Sequence, residues 1–445
     1  MKKNNDDPSA SVSNSEGFGP NAKATGTNST ALGASSEASG ENATAVGFYA
    51  ISAGLNSTAL GTAAQATGSD AIALGNTSNA SGSSAISLGP NCSAQGVNCI
   101  TMGYKSTCTG NGSIAMGETA TATTGLSIAL GPSASCSGNY STAIGPSCSA
   151  QNTYSIAIGH TAQSKNTHSM ALGRDAVASG DYSTAIGNAS LSEKLYSTAL
   201  GSNAQAFEEY SVAVGRGSTS AGRNATAVGN SSFGTGHYST ALGNGANATG
   251  ISSIALGSNA YGGGGGSSYI TALGTSAQVA ATKNSTALGY GAINLADNSI
   301  MLGNSSITSL YCYANLTKLS DGRFKKEVKA DIPGISFIEK LQPISYQRNR
   351  EAERNFLEKN HCACTLSEED LVKRHLGFIA QDVEKVCEEL DFEFEGLDIP
   401  KTENQPYHLS YTVFIMPLVK AVQEVIEQNK KLELRLAELE EKIYN

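Results

Sequence analysis

The sequence has no tryptophan, and aromatic residues fill only 6% of its 445 positions. Charge is scarce too, at 15%, and there are just 10 prolines. An ordinary globular enzyme of this length, with two or three domains, needs more large side chains to fill its cores. No apolar run approaches the roughly 18 residues of a membrane helix, and nothing at the C-terminus looks like a transmembrane barrel, whose strands alternate over about 10 residues each. Met1 to Pro8 reads MKKNNDDP, with no apolar stretch behind its lysines. It is therefore not a secretory signal, and synthesis and folding in a cytosol are expected, with no membrane insertion. The net charge of −9 leaves no basic footprint, so no nucleic-acid partner is expected. Yet 40% of the residues are hydrophobic, many of them Ala, which excludes disorder by composition. What remains is a repeated backbone architecture built on small residues.

Two bodies emerge once the averages are divided. Of the 49 glycines, 45 precede residue 320. Residues 1–319 hold 11 Lys+Arg and 13 Asp+Glu, whereas residues 320–445 hold 18 and 25. The nine cysteines cannot all pair within one chain. Cys92 and Cys148 share one phase of the repeat described next, and Cys108 and Cys136 another. Each pair lies at least two repeats apart, too far to bridge, which suits free thiols in a reducing compartment.

A small residue, an aliphatic residue and Gly recur from Gly33 to Gly257 with a constant spacing of 14. Gly19 extends the series backward, and Gly274, Gly289 and Gly303 continue it after insertions, the first containing Gly262 to Gly266. Before each Gly stands Leu32, Val46, Leu60 or Leu74, with Thr30, Thr44, Thr58 or Ile72 two residues earlier and Ala31, Ala45, Ala59 or Ala73 between them. This alternation predicts a strand of about five residues with one aliphatic/Thr face and one Ala/Ser face. Seven residues on, Gly26, Gly40, Gly68, Gly82 and Gly96, or Asn152 and Asn166, predict a second turn with positive φ; Lys194 and Glu208 break that rule. Two strands and two turns per repeat make one coil of a parallel β-solenoid, about 20 coils and roughly 100 Å long. With one or two aliphatic residues expected inside each coil, the burial does not offset about 1–2 kcal/mol of backbone entropy per residue, so partner chains are expected to complete the core.

NSTALG (Asn56–Gly61), YSIAIG (Tyr154–Gly159) and YSTAIG (Tyr182–Gly187) resemble the YadA-like head repeat of trimeric adhesins over about residues 18–303. The resemblance implies a left-handed parallel β-roll in which three chains share a core. Other readings are weaker. Asn-x-Ser/Thr sequons such as Asn28 and Asn224 follow from coil chemistry, and without a signal peptide glycosylation is not expected. Ile replacing Thr from Ile72 to Ile128 breaks any ice-binding face, and the scattered acids offer no glycosidase pair; Glu208 and Glu209 decorate a turn.

After Gly303 the pattern dissolves. Apolar residues at Ile415, Leu418, Val422, Val425, Leu432, Leu436, Leu439 and Ile443, with Asn429 in register, predict four heptads of coiled coil with one polar core position. Ser320-Asp321-Gly322-Arg323-Phe324-Lys325 is the candidate catalytic stretch. A Ser hydroxyl needs a base, and a Lys can serve if partial burial lowers its pKa. His361, Cys362, Cys364, His375 and Cys387 do not have zinc-site spacing, so neither metal nor cofactor is expected.

That stretch, GFIAQDVE (Gly377–Glu384) and the terminal heptads together resemble the intramolecular chaperone auto-processing domain of phage tail spikes and fibres, which also occurs in a membrane-bound transcription factor family. The resemblance covers about residues 316–445, with 349–374 a poorly matching insertion. It implies Ser320 as nucleophile, Lys325 as base, Asp321 and Gln381 in support, and cleavage between Leu319 and Ser320. Gly377, Phe378, Ala380 and Gln381 match the family's second block, where packing is expected more than chemistry.

The expected fold is mainly β: a trimeric left-handed parallel β-roll of 14-residue coils, then a small α+β domain with a C-terminal coiled-coil helix. The expected divisions are a polar segment 1–18, repeats 19–303, a linker 304–319 and a chaperone domain 320–445 with its coiled coil at 412–444. The expected function is a homotrimeric fibre or spike of a virus or phage that binds a host surface receptor. Its last domain would chaperone folding and then cut itself off in a single turnover, with no external substrate. The alternatives are a bacterial trimeric adhesin at the cell surface, or a fibre whose chaperone domain is proteolytically inactive. A membrane-tethered transcription factor fails for want of a DNA-binding domain and a membrane helix.

Overall fold

The computed structural model describes residues 14–444 except 308, 314–316, 350, 353–354, 357–372 and 401–404. The chain divides into two compact units, Met1–Leu302 and Gly303–Asn445.

The first unit is a parallel β-solenoid. Each regular coil carries a three-residue strand such as Thr58–Leu60 and a two-residue strand such as Gln65–Ala66. Equivalent strands stack in parallel one repeat apart, Thr44 beside Thr58 and Ile72 beside Ile86, in two sheets of 21 and 20 strands. The strands are shorter than expected because the two corners consume most of each repeat. Ladder hydrogen bonds run from coil to coil, as from Thr58 N to the Ala71 carbonyl at 2.8 Å. Corners close locally: Ser57 donates through both its amide and its hydroxyl to the Gly54 carbonyl, the hydroxyl at 2.7 Å.

The two faces of the strand are distributed opposite to expectation. Inside each coil are only small side chains, for example Ala43, Ala45, Ala50 and Ser52, all fully buried. The aliphatic residues point outward, half-buried or exposed, as Leu60 and Leu74 are. The reason is width: two strands that close on each other within a single short repeat leave room for a methyl, a hydroxyl or a thiol, and nothing larger. Apart from Asn294 in the last coil, whose amide bonds the Thr286 and Ser299 carbonyls, the exceptions follow the same rule of size. Ile270 and Val279 are buried where insertions enlarge the coil, Ile254 pairing with Thr271 and Thr271 with Thr286.

The second glycine of each coil also needs a different explanation. Gly68 and Gly82 do not have positive φ; that conformation falls two residues later, at Asp70 (φ 56°) and Ser84 (φ 54°). Gly68 is there for space, since a Cβ on it would collide with the Gly82 carbonyl oxygen. The first glycine meets both demands at once: Gly75 has φ 137°, and a Cβ there would lie 2.5 Å from the Gly89 oxygen.

Cys92, Cys99, Cys108, Cys136 and Cys148 take interior positions that Ala and Ser hold elsewhere, and all are free. Burial, with the Cys136 thiol close by, pushes Cys148 up to about 11. The Cys108 thiol is raised by its hydrogen bond with Cys99 and by burial.

The second unit is α+β. Strand Ile344–Tyr346 pairs antiparallel with His375–Gly377, and Leu397–Asp398 with His408–Leu409. Helix Ala380–Glu389 lays Val383, Val386 and Cys387 against Phe337, Phe394 and Phe414. The Phe394 and Phe414 rings meet edge-on at 4.6 Å. The C-terminal helix spans Ile415–Tyr444, and Tyr411–Phe414 before it form a single 3₁₀ turn where the coiled coil was expected to begin. Only Pro417 and Ala421 of this helix are buried; the line Leu418, Val422, Val425, Leu432, Leu436, Leu439 and Ile443 is exposed. Among the described residues, no helix is long and apolar enough to cross a membrane.

Gly75→Ala is expected to cost at least ~1–3 kcal/mol through overpacking and backbone strain, measured by thermal unfolding. Gly265→Ala, where a Cβ meets nothing within 4 Å, is expected to leave the melting temperature unchanged. In peptide-resolved alkylation of the folded protein, Cys312 is expected to react promptly, whereas the five interior cysteines stay protected until unfolding.

Candidate functional site

The candidate catalytic stretch belongs to the second unit and is governed by one short turn. Asp321 has extended backbone and caps a 3₁₀ turn over Gly322–Phe324, its carboxylate accepting from the Arg323 amide at 2.8 Å. The Arg323 guanidinium closes on the same carboxylate, Nη2 at 2.6 Å and Nε at 3.0 Å. The Lys325 amide donates to the Gly322 carbonyl at 3.2 Å, which ends the turn and returns the chain toward its start. As a result Lys325 Nζ lies 2.9 Å from Ser320 Oγ.

Sequence reasoning named Ser320, Lys325 and Asp321, and the structure places the first two in hydrogen-bond contact. Asp321 serves the turn and does not touch the Ser320–Lys325 contact directly: its charge is matched by Arg323, which sequence reasoning did not single out. The signal was available, because Asp-Gly followed by a cation is turn chemistry. The Arg323 side chain and amide hold the Asp321 carboxyl below the usual carboxylate range. Leu319, on the other side of the expected scissile bond, is 79% exposed.

The chemistry of this arrangement depends on direction. Lys325 Nζ stands as the donor to the Ser320 hydroxyl. To act as a base it must first lose a proton and accept from Ser320 instead, which burial promotes. The Ser320 hydroxyl and the Lys325 amine are adjacent, and both residues are exposed in the single chain.

The second motif block is only partly interior, with Gly377 and Val383 buried and Ile379, Gln381 and Asp382 exposed. Gly377 occupies a buried strand position where a Cβ would collide with Tyr411 Oη, and the Phe378 amide donates to that oxygen at 3.1 Å. Phe378 stacks on Phe414 at 5.2 Å, so both residues pack as expected. Gln381 is exposed in the first turn of helix Ala380–Glu389 and shares no hydrogen bond with Ser320 or Lys325 among the described residues. Ile338, Leu341, Phe378, Tyr411 and Leu418 line an open apolar groove of about 310 Å³ at the foot of the C-terminal helix. Of the metal-capable residues, His361, Cys362 and Cys364 lie outside the described residues, and Cys387 is buried against the phenylalanine core.

Comparison with known proteins follows the same division. Thirteen stretches between residues 17 and 292, together more than half of the chain, match the YadA head domain repeat. Residues 320–392 match a peptidase family described as chaperone of endosialidase, and this match begins at Ser320. Among solved structures, the crystal structure of the collagen-binding domain of the Yersinia adhesin YadA is similar at 17% identity. That similarity covers 55% of this chain and 80% of the other, with a TM-score of 0.11. No curated protein matches the chain.

Because its folded-state pKa is depressed, the Asp321–Arg323 pair contributes above the ordinary Asp value and is lost as pH falls through the depressed one. Carboxyl carbon shifts followed by NMR are expected to place the Asp321 midpoint below the ordinary range. Arg323→Ala is expected to return it there.

Proposed function

The chain belongs to the YadA head-repeat family and carries a chaperone-of-endosialidase domain from residue 320, and from this premise we propose that it is a trimeric fibre or spike that matures by cutting itself. The solenoid is the attachment shaft, displayed on a virion, and binds a host surface receptor. Residues 320–445 are a disposable helper that brings three chains together. The 2.9 Å contact between Lys325 Nζ and Ser320 Oγ, at the first residue of the chaperone match, carries the proposal.

Two apolar surfaces support the trimer. Each regular coil leaves its aliphatic residues outside its own interior, and the C-terminal helix leaves a heptad line exposed. Three helices that bury this line would align three chains before the slow, non-local stacking of the coils begins. Assembly then supplies what the single chain lacks, a desolvated lysine. Ser320 Oγ attacks the Leu319 carbonyl carbon as Lys325 takes the hydroxyl proton. The tetrahedral intermediate collapses with loss of the Ser320 amine, which is protonated by Lys325. Water then hydrolyses the resulting ester and restores the hydroxyl on the released domain. Once the helper has left, unfolding of the shaft is hard to reverse, which makes its stability kinetic.

Intact mass spectrometry of the purified trimer is expected to find a product ending at Leu319 and a partner beginning at Ser320. Ser320→Ala and Lys325→Ala should each leave the chain whole, with trimerisation retained in sedimentation. An uncut wild-type chain in a folded trimer would sink the self-cleavage reading.

A further inference from the structure

Six aromatic side chains form a single file along one corner of the solenoid: Tyr140, Tyr154, His168, Tyr182, Tyr196 and Tyr210. Their ring centroids follow one another at 5.0, 4.8, 4.7, 5.0 and 5.3 Å, with neighbouring planes no more than 26° from parallel. All six are exposed. Each sits on left-handed backbone, φ 53–57°, a conformation that a bulky L-residue adopts only against steric strain.

The N-terminal coils fill this corner with a residue that tolerates the conformation. There Asn28, Asn42 and Asn56 form an amide ladder, Nδ2 of each donating to the next Oδ1 at 3.1 and 2.9 Å. Aromatic stacking returns no more than the strain takes, so for stability alone the rings are no improvement on the amides. Their distinctive property is chemical: accessible phenols held one coil apart, ring against ring.

We propose that Tyr140–Tyr154, Tyr182–Tyr196 and Tyr196–Tyr210 are sites of oxidative dityrosine cross-linking, a covalent staple between consecutive coils. A haem peroxidase with hydrogen peroxide is the class of oxidant required. Each phenol gives up one electron and its proton, and two neighbouring phenoxyl radicals join through a carbon–carbon bond ortho to the oxygens. Loss of the two ring hydrogens as protons, with their return to the phenolate oxygens, restores aromaticity. In sum two hydrogens leave the pair and one peroxide becomes two waters. His168 interrupts the series, so the staples fall into two groups. Tyr238 and Tyr269 occupy the same corner but stack on no tyrosine among the described residues, and they provide an internal control.

The test treats the purified full-length protein with peroxidase and peroxide, then maps cross-linked peptides by mass spectrometry alongside dityrosine fluorescence. Cross-links are expected at the three ladder pairs and not at Tyr238 or Tyr269. Tyr196→Phe keeps the stack but removes two of the three pairs, so most of the fluorescence should disappear at an unchanged melting temperature. Tyr238→Phe should leave the signal intact. Dityrosine spread evenly over all tyrosines, confined to links between separate molecules, absent from the folded protein, or undiminished in Tyr196→Phe would overturn the proposal.

Discussion

The solenoid depends on how little space one short coil encloses. Its inward positions admit Ala, Ser, Thr or Cys, as Ala59, Ala64, Ala66 and Ser57 illustrate. A buried CH₂ contributes about 0.8 kcal/mol, whereas each ordered residue costs roughly 1–2 kcal/mol of backbone entropy. Hydrogen-bond ladders and corner contacts therefore carry more of the fold than in a domain with a large core. The shortage of aromatic residues follows from the same limit, as does the outward placement of the aliphatic residues.

The second unit solves the packing problem in the usual way. Phe337 sits at the centre of an aromatic cluster with Phe392, Phe394 and Phe414, reached from distant parts of the chain. A 30-residue helix then extends well beyond that small core, with its apolar line left exposed among the described residues. In both units, then, apolar surface is left over after intrachain packing is complete. The repeats leave it as a stripe, the helix as a seam.

Much of this was legible in the sequence. The repeat period determines coil, register and the stacking of like on like, and Ser320 with Lys325 could be named from a motif. Other features depend on quantities that a sequence does not carry. Alternation separates two strand faces but does not say which encloses the smaller space, so Leu60 and Ala59 could be assigned to the wrong sides. Glycine identity does not distinguish a positive φ, as at Gly75, from a lack of room, as at Gly68. The Arg323–Asp321 pair depends on a turn whose geometry appears only when the chain folds. Stacked rings at Tyr182 and Tyr196 follow from the period, but their tolerance of left-handed backbone does not.

The glycine-rich insertion at Gly262 to Gly266 does more than enlarge one coil. A perfectly periodic rod is degenerate: a neighbour displaced by one coil meets the same surface, so nothing in the repeats selects one alignment over the next. The departure from the regular period between Ile254 and Thr271, and again between Thr271 and Thr286, breaks that translational symmetry at one place. Chains lying side by side can match these irregular coils in only one way. In the proposed trimer, what looks like a flaw in the pattern would be a notch that makes a single alignment unique.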